Sequence, residues 1–289
     1  MGIRTSAALW RRPWLRATLI LSPPLAWFLL IYLASLVVML ITAFFTVNPL
    51  TNQIEHTWTL SNFSQIFTST YITIIVRTLV MAILVTITDA VIAFPFAFFM
   101  ARVASPRVRQ ALFVAVLLPL WASYMARVYA WVVILSDKGM LVWTLNHLGL
   151  GSPHVAYSNT AMWIVFSYIW LPFMVIPVYG ALERIPESYL QASADLGARG
   201  WRTFRRVVLP LALPGVVAGS IFTFSLTLGD FITPLLIGGA NSSFIGNTIY
   251  NNVGVGGNLP FAAALAMVPI VIMAVYLLIA RALGAFKAM

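Results

Sequence analysis

Long apolar runs separated by short polar stretches make up most of this 289-residue chain. A helix that crosses a bilayer core of ~30 Å needs about 20 mostly apolar residues. Six stretches meet that length, approximately Ala17–Phe45, Ile72–Met100, Ala111–Leu135, Ala161–Ala181, Leu209–Gly238 and Phe261–Ala285. Prolines fall within several of them: Pro23 and Pro24, Pro95, Pro119, and Pro172 with Pro177. Membrane helices tolerate proline because neighbouring helices or waters satisfy the freed carbonyls. The third and fifth runs are the ones whose prolines would break them. Three connecting segments, Thr46–Tyr71, Ser136–Thr160 and Gly239–Pro260, are short and rich in Asn, Ser, Thr and Gly. They read as loops or interfacial turns. The expected fold is all-α and polytopic, a single transmembrane domain over residues 1–289 with about six helices.

Composition agrees with this pattern. Hydrophobic residues make up 61% of the chain, charged residues only 8%, and the mean hydropathy is +0.95. A soluble domain carries roughly 25% charged residues, so the outer solvent of this chain is lipid. The net charge of +10 raises the question of an anionic partner. Its distribution gives another cause. Arg4, Arg11, Arg12, Arg16, Arg102, Arg107, Arg109, Arg184, Arg199, Arg202, Arg205, Arg206, Arg281 and Lys287 all fall on one side if the spans alternate. Only Lys138 falls on the other, with Arg77 and Arg127 at or within spans. Basic residues collect on the cytoplasmic side, so both termini are expected to be cytoplasmic. No polar domain interleaves aromatic and basic residues, and no nucleic-acid partner is expected. The first run is too long for a cleaved signal and has no small-x-small site after Phe45, so it reads as a retained helix.

Little in the chain points to catalysis. Cysteine is absent, which removes disulfide and thiol chemistry. His56, His147 and His154 lie in polar connections without metal-ligand spacing, and no metal site is expected. No GxxxxGK[ST] phosphate loop occurs. Ser/His/Asp and paired-carboxylate arrangements are equally absent, so the chain is not expected to be an enzyme on its own.

The segment between the fourth and fifth runs has its own pattern. Pro186 and Glu187 make a favourable first helical turn. Small residues follow at Ala192, Ser193, Ala194 and Ala198, and Gly197 would end the helix or admit another backbone. A second amphipathic stretch, Trp201–Val208, leads to Leu209-Pro210 and the next span. A small-residue face on a surface helix suits a groove on another protein; five nearby arginines equally suit a linker lying on lipid headgroups.

One feature decides between these readings. Gln191-Ala192-Ser193-Ala194-Asp195-Leu196-Gly197, nine residues, then Val207-Val208-Leu209-Pro210 resembles the EAA loop of type I ABC importer permeases. Gln191 stands for the usual Glu and Ser193 for the second Ala. Nearly the whole chain is similar to the spermidine/putrescine branch. The particular stretches are Leu117-Leu118-Pro119-Leu120-Trp121, Arg127-Val128-Tyr129-Ala130-Trp131, Gly229-Asp230-Phe231, Thr233-Pro234 and Gly238-Gly239. The resemblance implies a permease forming half of the path of an ATP-driven importer in a bacterial inner membrane, for a polyamine or related small cation. It implies a coupling loop at about 182–208, with Glu187 to Trp201 against the ATPase and Gly197 central. It also implies partners: two copies of an ATP-binding subunit holding ATP and Mg, a second and different permease, and a soluble extracytoplasmic binding protein.

Ionisable groups inside a membrane are costly and therefore functional candidates. Asp89, Arg127 and Asp230 are the clear ones. Asp230 or Asp89 offers negative charge to a polyammonium ion, with Trp121, Tyr124, Tyr129, Trp131 and Phe231 available for cation–π attraction. Arg127 reads as a structural ion pair with an aspartate, since a cation in the path would repel a cationic solute. Trp10, Trp14, Trp27, Trp58, Trp143, Trp163 and Trp170 read as interfacial anchors. Gly215 and Gly219 form a GxxxG step that permits close helix contact, read as contact with the partner permease or as a chance spacing in a Gly-rich span. Two rivals stand beside this reading: a self-sufficient carrier with a proton-linked Asp89 or Asp230, and a non-transporting membrane scaffold.

Overall fold

A computed structural model of the chain describes residues 13–48, 50–149, 155–239, 242–254 and 256–282. Arg4, Trp10, Arg11, Arg12, His154 and Lys287 lie outside the described residues, as does the side chain of Arg16. Among the described residues, six helical segments are long and apolar enough to cross a membrane.

Helix α1 (Pro13–Thr42) is followed by a two-stranded antiparallel hairpin, β1 (Thr46–Val47) with β2 (Ile54–Glu55), and a short α2 (Ser61–Ile66). Asn62 on α2 donates to the carbonyls of Ala43 and Phe45 at 2.9 and 2.8 Å, closing this unit onto the end of α1. Helix α3 (Ser69–Phe98) continues through a widened turn, Phe99–Val103. After it come α4 (Pro106–Trp121), α5 (Tyr124–Leu135), α6 (Met140–His147) and α7 (Asn159–Glu183). The chain continues through α8 (Glu187–Asp195), α9 (Gly200–Thr203), α10 (Leu209–Gly229), α11 (Ile232–Ile237), α12 (Ile245–Val253) and α13 (Leu259–Ala282). Connections read as loops thus carry a hairpin and short helices. Their apolar residues are too few for a sequence window but enough to pack on the bundle end, as Ile66 and Ile245 do.

Helix α7 lies at the centre. It packs against both α3 and α10, and 61% of its apolar stretch is buried, whereas none of that of α1 is. One core cluster joins Met81 and Val85 of α3 to Val165, Phe166, Ile169 and Trp170 of α7. A second joins Ala93, Ala97 and Met100 to Met174, Val178, Leu182 and Ala212.

Several boundaries differ from the expected ones. The third run is not one span. It breaks at Ala122 and Ser123, both extended (ψ 145° and 136°), and the membrane-length segment becomes Tyr124–His147. The break, expected from the proline of this run, falls just past Pro119 with apolar residues on both sides of it. The fifth run breaks at Asp230 (ψ 130°). Pro234 has no N–H for the carbonyl of Asp230 four residues back, and the Asp230 carboxylate instead accepts the Ile232 N–H at 2.9 Å. The fifth span also begins earlier than Leu209. It is helical from Gly200, through a widened turn at Phe204–Val208 that accommodates the donor missing at Pro210.

The GxxxG step faces inward, not toward another subunit. A Cβ on Gly215 would lie 2.5 Å from Cβ of Ala181 and 2.6 Å from the Pro177 carbonyl oxygen. One on Gly219 would lie 2.6 Å from Sδ of Met174. Both glycines therefore set the α7–α10 distance. Gly215→Val is expected to destabilise the bundle by at least the ~1–3 kcal/mol typical of overpacking, seen as a lower Tm in detergent. An unchanged Tm would mean that α7 and α10 separate freely.

Tryptophans divide in a way the sequence did not reveal. Trp14, Trp27, Trp58 and Trp143 are exposed, but Trp170 is 7% exposed in the core. Trp163 donates to the Thr88 hydroxyl at 3.0 Å, a contact between helices.

Candidate functional site

Two regions gather the candidate residues. The first is at the arginine-rich end of the bundle. Helix α8 opens with Glu187 after Pro186, whose fixed φ is compatible with a helix entry. It closes in a Schellman motif: the Gly197 N–H donates to the Ala194 carbonyl at 2.8 Å and the Ala198 N–H to the Ser193 carbonyl at 3.1 Å. Gly197 has φ +72°, the left-handed conformation such a cap requires, with open space where a Cβ would be. The Ser193 and Thr203 hydroxyls meet at 2.9 Å and tie α8 to α9.

Gln191, Ala192, Ala194, Asp195, Leu196 and Gly197 are exposed, while Ser193 and Ala198 are half-buried. A groove of about 450 Å³ runs along this surface, lined by Tyr189, Ala192, Ser193, Leu196, Arg202 and Val207 among others. Leu196 is 87% exposed and Trp201 72%. Large apolar side chains are thus bare on a loop rich in charge. Tyr189, Arg202 and Arg206 of the groove were missed in the sequence, although Tyr189 lies one helical turn before Ala192 and two before Leu196. Leu209 and Pro210 lie past the groove, in the first turn of α10. Beside the loop a further cavity of about 490 Å³ opens between α7 and α10, lined by Pro177, Gly180, Ala181, Arg184 and Pro214 among others.

The second region is the break between α10 and α11. Besides Ile232 N–H, the Asp230 carboxylate accepts the hydroxyls of Tyr124 and of Thr233, the latter at 2.6 Å. Tyr124 and Thr233 are themselves 2.7 Å apart. The Tyr124 ring stacks on Trp170 at 5.8 Å, and the Arg127 guanidinium carbon lies 5.8 Å from the centroid of the same Tyr124 ring. That is within cation–π range. Arg127 has no carboxylate at ion-pair distance among the described residues, and its Nε and Nη1 are buried without acceptors. In place of the expected Arg127–aspartate pair the structure has an arginine–tyrosine contact. Phe231 stacks on Tyr250 of α12 at 4.8 Å.

Asp89 is apart from this cluster. It is fully buried on α3 toward the Ser167 hydroxyl, with no hydrogen bond to either carboxyl oxygen. Burial of an unpaired charge costs several kcal/mol, which keeps Asp89 a candidate. Trp121 is 86% exposed at the end of α4 and Tyr129 is 53% exposed on α5, so neither joins the Tyr124–Asp230 cluster. Thr233 and Trp170 do join it; the i, i+3 spacing of Asp230 and Thr233 was the available signal. Among the described residues no three His, Asp or Glu side chains group as a metal site.

Comparison with known proteins places the whole chain. Residues 93–286 match the family model described as "Binding-protein-dependent transport system inner membrane component". The inner membrane ABC transporter permease protein YdcU of Escherichia coli (strain K12) is 47% identical, over 99% of this chain and 95% of that protein. The spermidine/putrescine transport system permease protein PotB of Haemophilus influenzae is 33% identical, over 76% of this chain and 78% of that protein. Among solved structures, a bacterial alginate ABC transporter in complex with its alginate pentasaccharide-bound periplasmic protein aligns with TM-score 0.77. The match has 20% identity and covers 98% of this chain and 97% of that one.

Proposed function

The chain belongs to the family of binding-protein-dependent transport system inner membrane components, and from that premise we propose how its parts divide the work. It is a multi-pass inner membrane permease of an ABC importer, not an enzyme, and the self-driven carrier and the inert scaffold are set aside. The loop from Glu187 to Trp201 docks in a cleft of an ATP-binding subunit that holds ATP and Mg and performs the hydrolysis. The observation that carries this assignment is the bare Leu196 and Trp201 over a groove. In water the two would expose large apolar area; against a partner each buries it, at ~25 cal/mol per Å².

The arginine-rich end is cytoplasmic, a reading the bias of Lys and Arg supports, and both termini lie on that side. A second permease completes the path. Helix α1 supports this, since none of its 26-residue apolar segment is buried within the chain. A soluble binding protein delivers solute from the other side, and two ATP-binding subunits drive alternating access.

The solute is a polyamine or related small cation. PotB is a relative of that specificity by name, and Asp230 offers a carboxylate to an ammonium at a break in the membrane helix. Likeness to an alginate transporter concerns the fold alone. The test is uptake of labelled spermidine into vesicles holding the native complex. ATP-dependent uptake, competed by putrescine, is expected. Failure of both polyamines to bind or enter would remove them as solutes and leave the permease assignment standing.

A further inference from the structure

Arg102 reads in the sequence as one more cytoplasmic charge, yet its guanidinium is committed to two backbone acceptors. Its Nη2 donates to the carbonyl oxygens of Leu182 and Ile185, at 2.6 Å each. Leu182 lies in the last turn of α7, whose terminal carbonyls have no partner within the helix. Ile185 immediately precedes Pro186, where the coupling loop begins. A charged donor makes such bonds stronger than a neutral one. Arg102 therefore fixes the entry of the loop to the end of α3.

The exit is fixed to the same helix. Phe204, just after α9, meets Phe94 and Phe98 edge-on at 5.6 and 6.3 Å, and Trp201 stacks on Phe204 at 5.3 Å. Positions 94, 98 and 102 are spaced i, i+4, i+8, so one face of the α3 end holds both ends of the loop. Between these anchors the loop is closed on itself by the Ser193–Thr203 bond and the Gly197 cap. Arg109 braces the same place from α4, donating to the carbonyls of Met100 and Ala101 at 3.0 and 3.2 Å.

At its far end α3 reaches the other region. The Thr78 hydroxyl accepts the Ile245 N–H at 3.0 Å, and Arg77 donates to the Ser243 carbonyl at 3.3 Å. The next residue, Gly246, abuts the backbone of Asp230 so closely that a Cβ would collide with it. Helix α3, with the widened turn that follows it, thus runs from the loop to the segment beside Asp230.

We propose that Arg102 is a positioning residue that locks the coupling loop to α3, making the two a single lever that carries ATP-driven movement to the Asp230 region. This rests on the reading of the loop as the ATPase contact. The support is a chain of packed and hydrogen-bonded contacts that joins the loop, the turn Phe99–Val103 and α3.

The chain has no cysteine, so a labelled pair is simple to introduce. Spin labels at Val91→Cys on α3 and Ser188→Cys on α8 report the loop-to-helix distance in the native complex. The distance is measured without nucleotide and after trapping with ATP and vanadate. The wild-type distance is expected to stay constant between the two states. Arg102→Gln is expected to match it without nucleotide, to hydrolyse ATP as wild type does, and to shift on trapping by more than about 2 Å, the scale of helix displacements. Arg102→Lys, which keeps a charged donor, should suppress the shift. A wild-type distance that changes on trapping, or an Arg102→Gln distance that never does, overturns the lever alone. So does loss of assembly and hydrolysis together in Arg102→Gln, which would mark a purely structural contact. A chain that purifies without any ATP-binding subunit overturns the loop reading and the lever with it.

Discussion

Gly197→Asp is expected to lower ATP-driven uptake by about 100-fold or more, equivalent to roughly 3 kcal/mol of lost coupling, while the chain still inserts. The backbone at Gly197 has φ +72°, and an L-residue in the left-handed region costs ~1–2 kcal/mol, less for Asn and Asp. No atom lies within 4 Å of the added Cβ, so there is no clash within the chain. The damage comes from the charge. A carboxylate at the C-terminal end of α8 opposes the negative end of the helix dipole, by ~0.3–1 kcal/mol. Once docked it would also be buried without a partner, which costs several kcal/mol.

Two companion variants separate these contributions. Gly197→Asn keeps the tolerance for positive φ without charge and should retain most uptake. Gly197→Ala carries the strain without the charge and should fall between the two. Co-purification of the ATP-binding subunit, measured beside uptake, should be lost in Gly197→Asp and kept in Gly197→Asn. Normal uptake in Gly197→Asp would refute the docking of this loop.

The contrast between Gly197 and Gly215 indicates what the sequence made legible. Gly197 sits in a signature whose spacing is set by chain-local geometry: a helix, a left-handed cap and a second helix. Such a motif can be read from one segment, and the structure has the cap where the spacing puts it. Gly215 is also conspicuous in sequence, but what it touches depends on the distant Pro177 and Ala181. Its small-residue step was therefore assigned to the wrong neighbour.

The same distinction explains the spans. Hydropathy found six apolar segments because it sums over many residues, and six are present. Only the proline of the third run announced the break at Ala122–Ser123, since apolar residues lie on both sides of it. Hydropathy also gave no warning that Trp170 is buried against Tyr124 while Trp121 is bare. Which ring faces the bundle depends on tertiary rotation, not on composition. Arg102 was legible as a charge and illegible as a clamp, since its acceptors are carbonyls 80 and 83 residues away.

At Asp230 the competing roles are separable by chemistry. As a cap, its carboxylate holds the Ile232 N–H and the hydroxyls of Thr233 and Tyr124 at the helix break. As a solute group, it supplies negative charge within the membrane. Asp230→Asn keeps an oxygen for the Ile232 N–H, and hydroxyls can turn to accept from the new amide. The break should survive and the complex should assemble and hydrolyse ATP. If the charge draws in the solute, KM for spermidine is expected to rise about tenfold or more, some 1.4 kcal/mol.

Asp230→Ala removes the cap as well, at ~0.5–2 kcal/mol, and should lower both assembly and uptake. Tyr124→Phe removes one hydrogen bond, worth ~0.5–1.5 kcal/mol, but leaves the charge. It should reduce stability slightly and leave KM near the wild-type value. A raised KM in Asp230→Asn alone assigns recognition to the carboxylate charge. An unchanged KM in Asp230→Asn, with Asp230→Ala defective, would make Asp230 a helix cap only and move the search for the solute contact to Asp89 on α3.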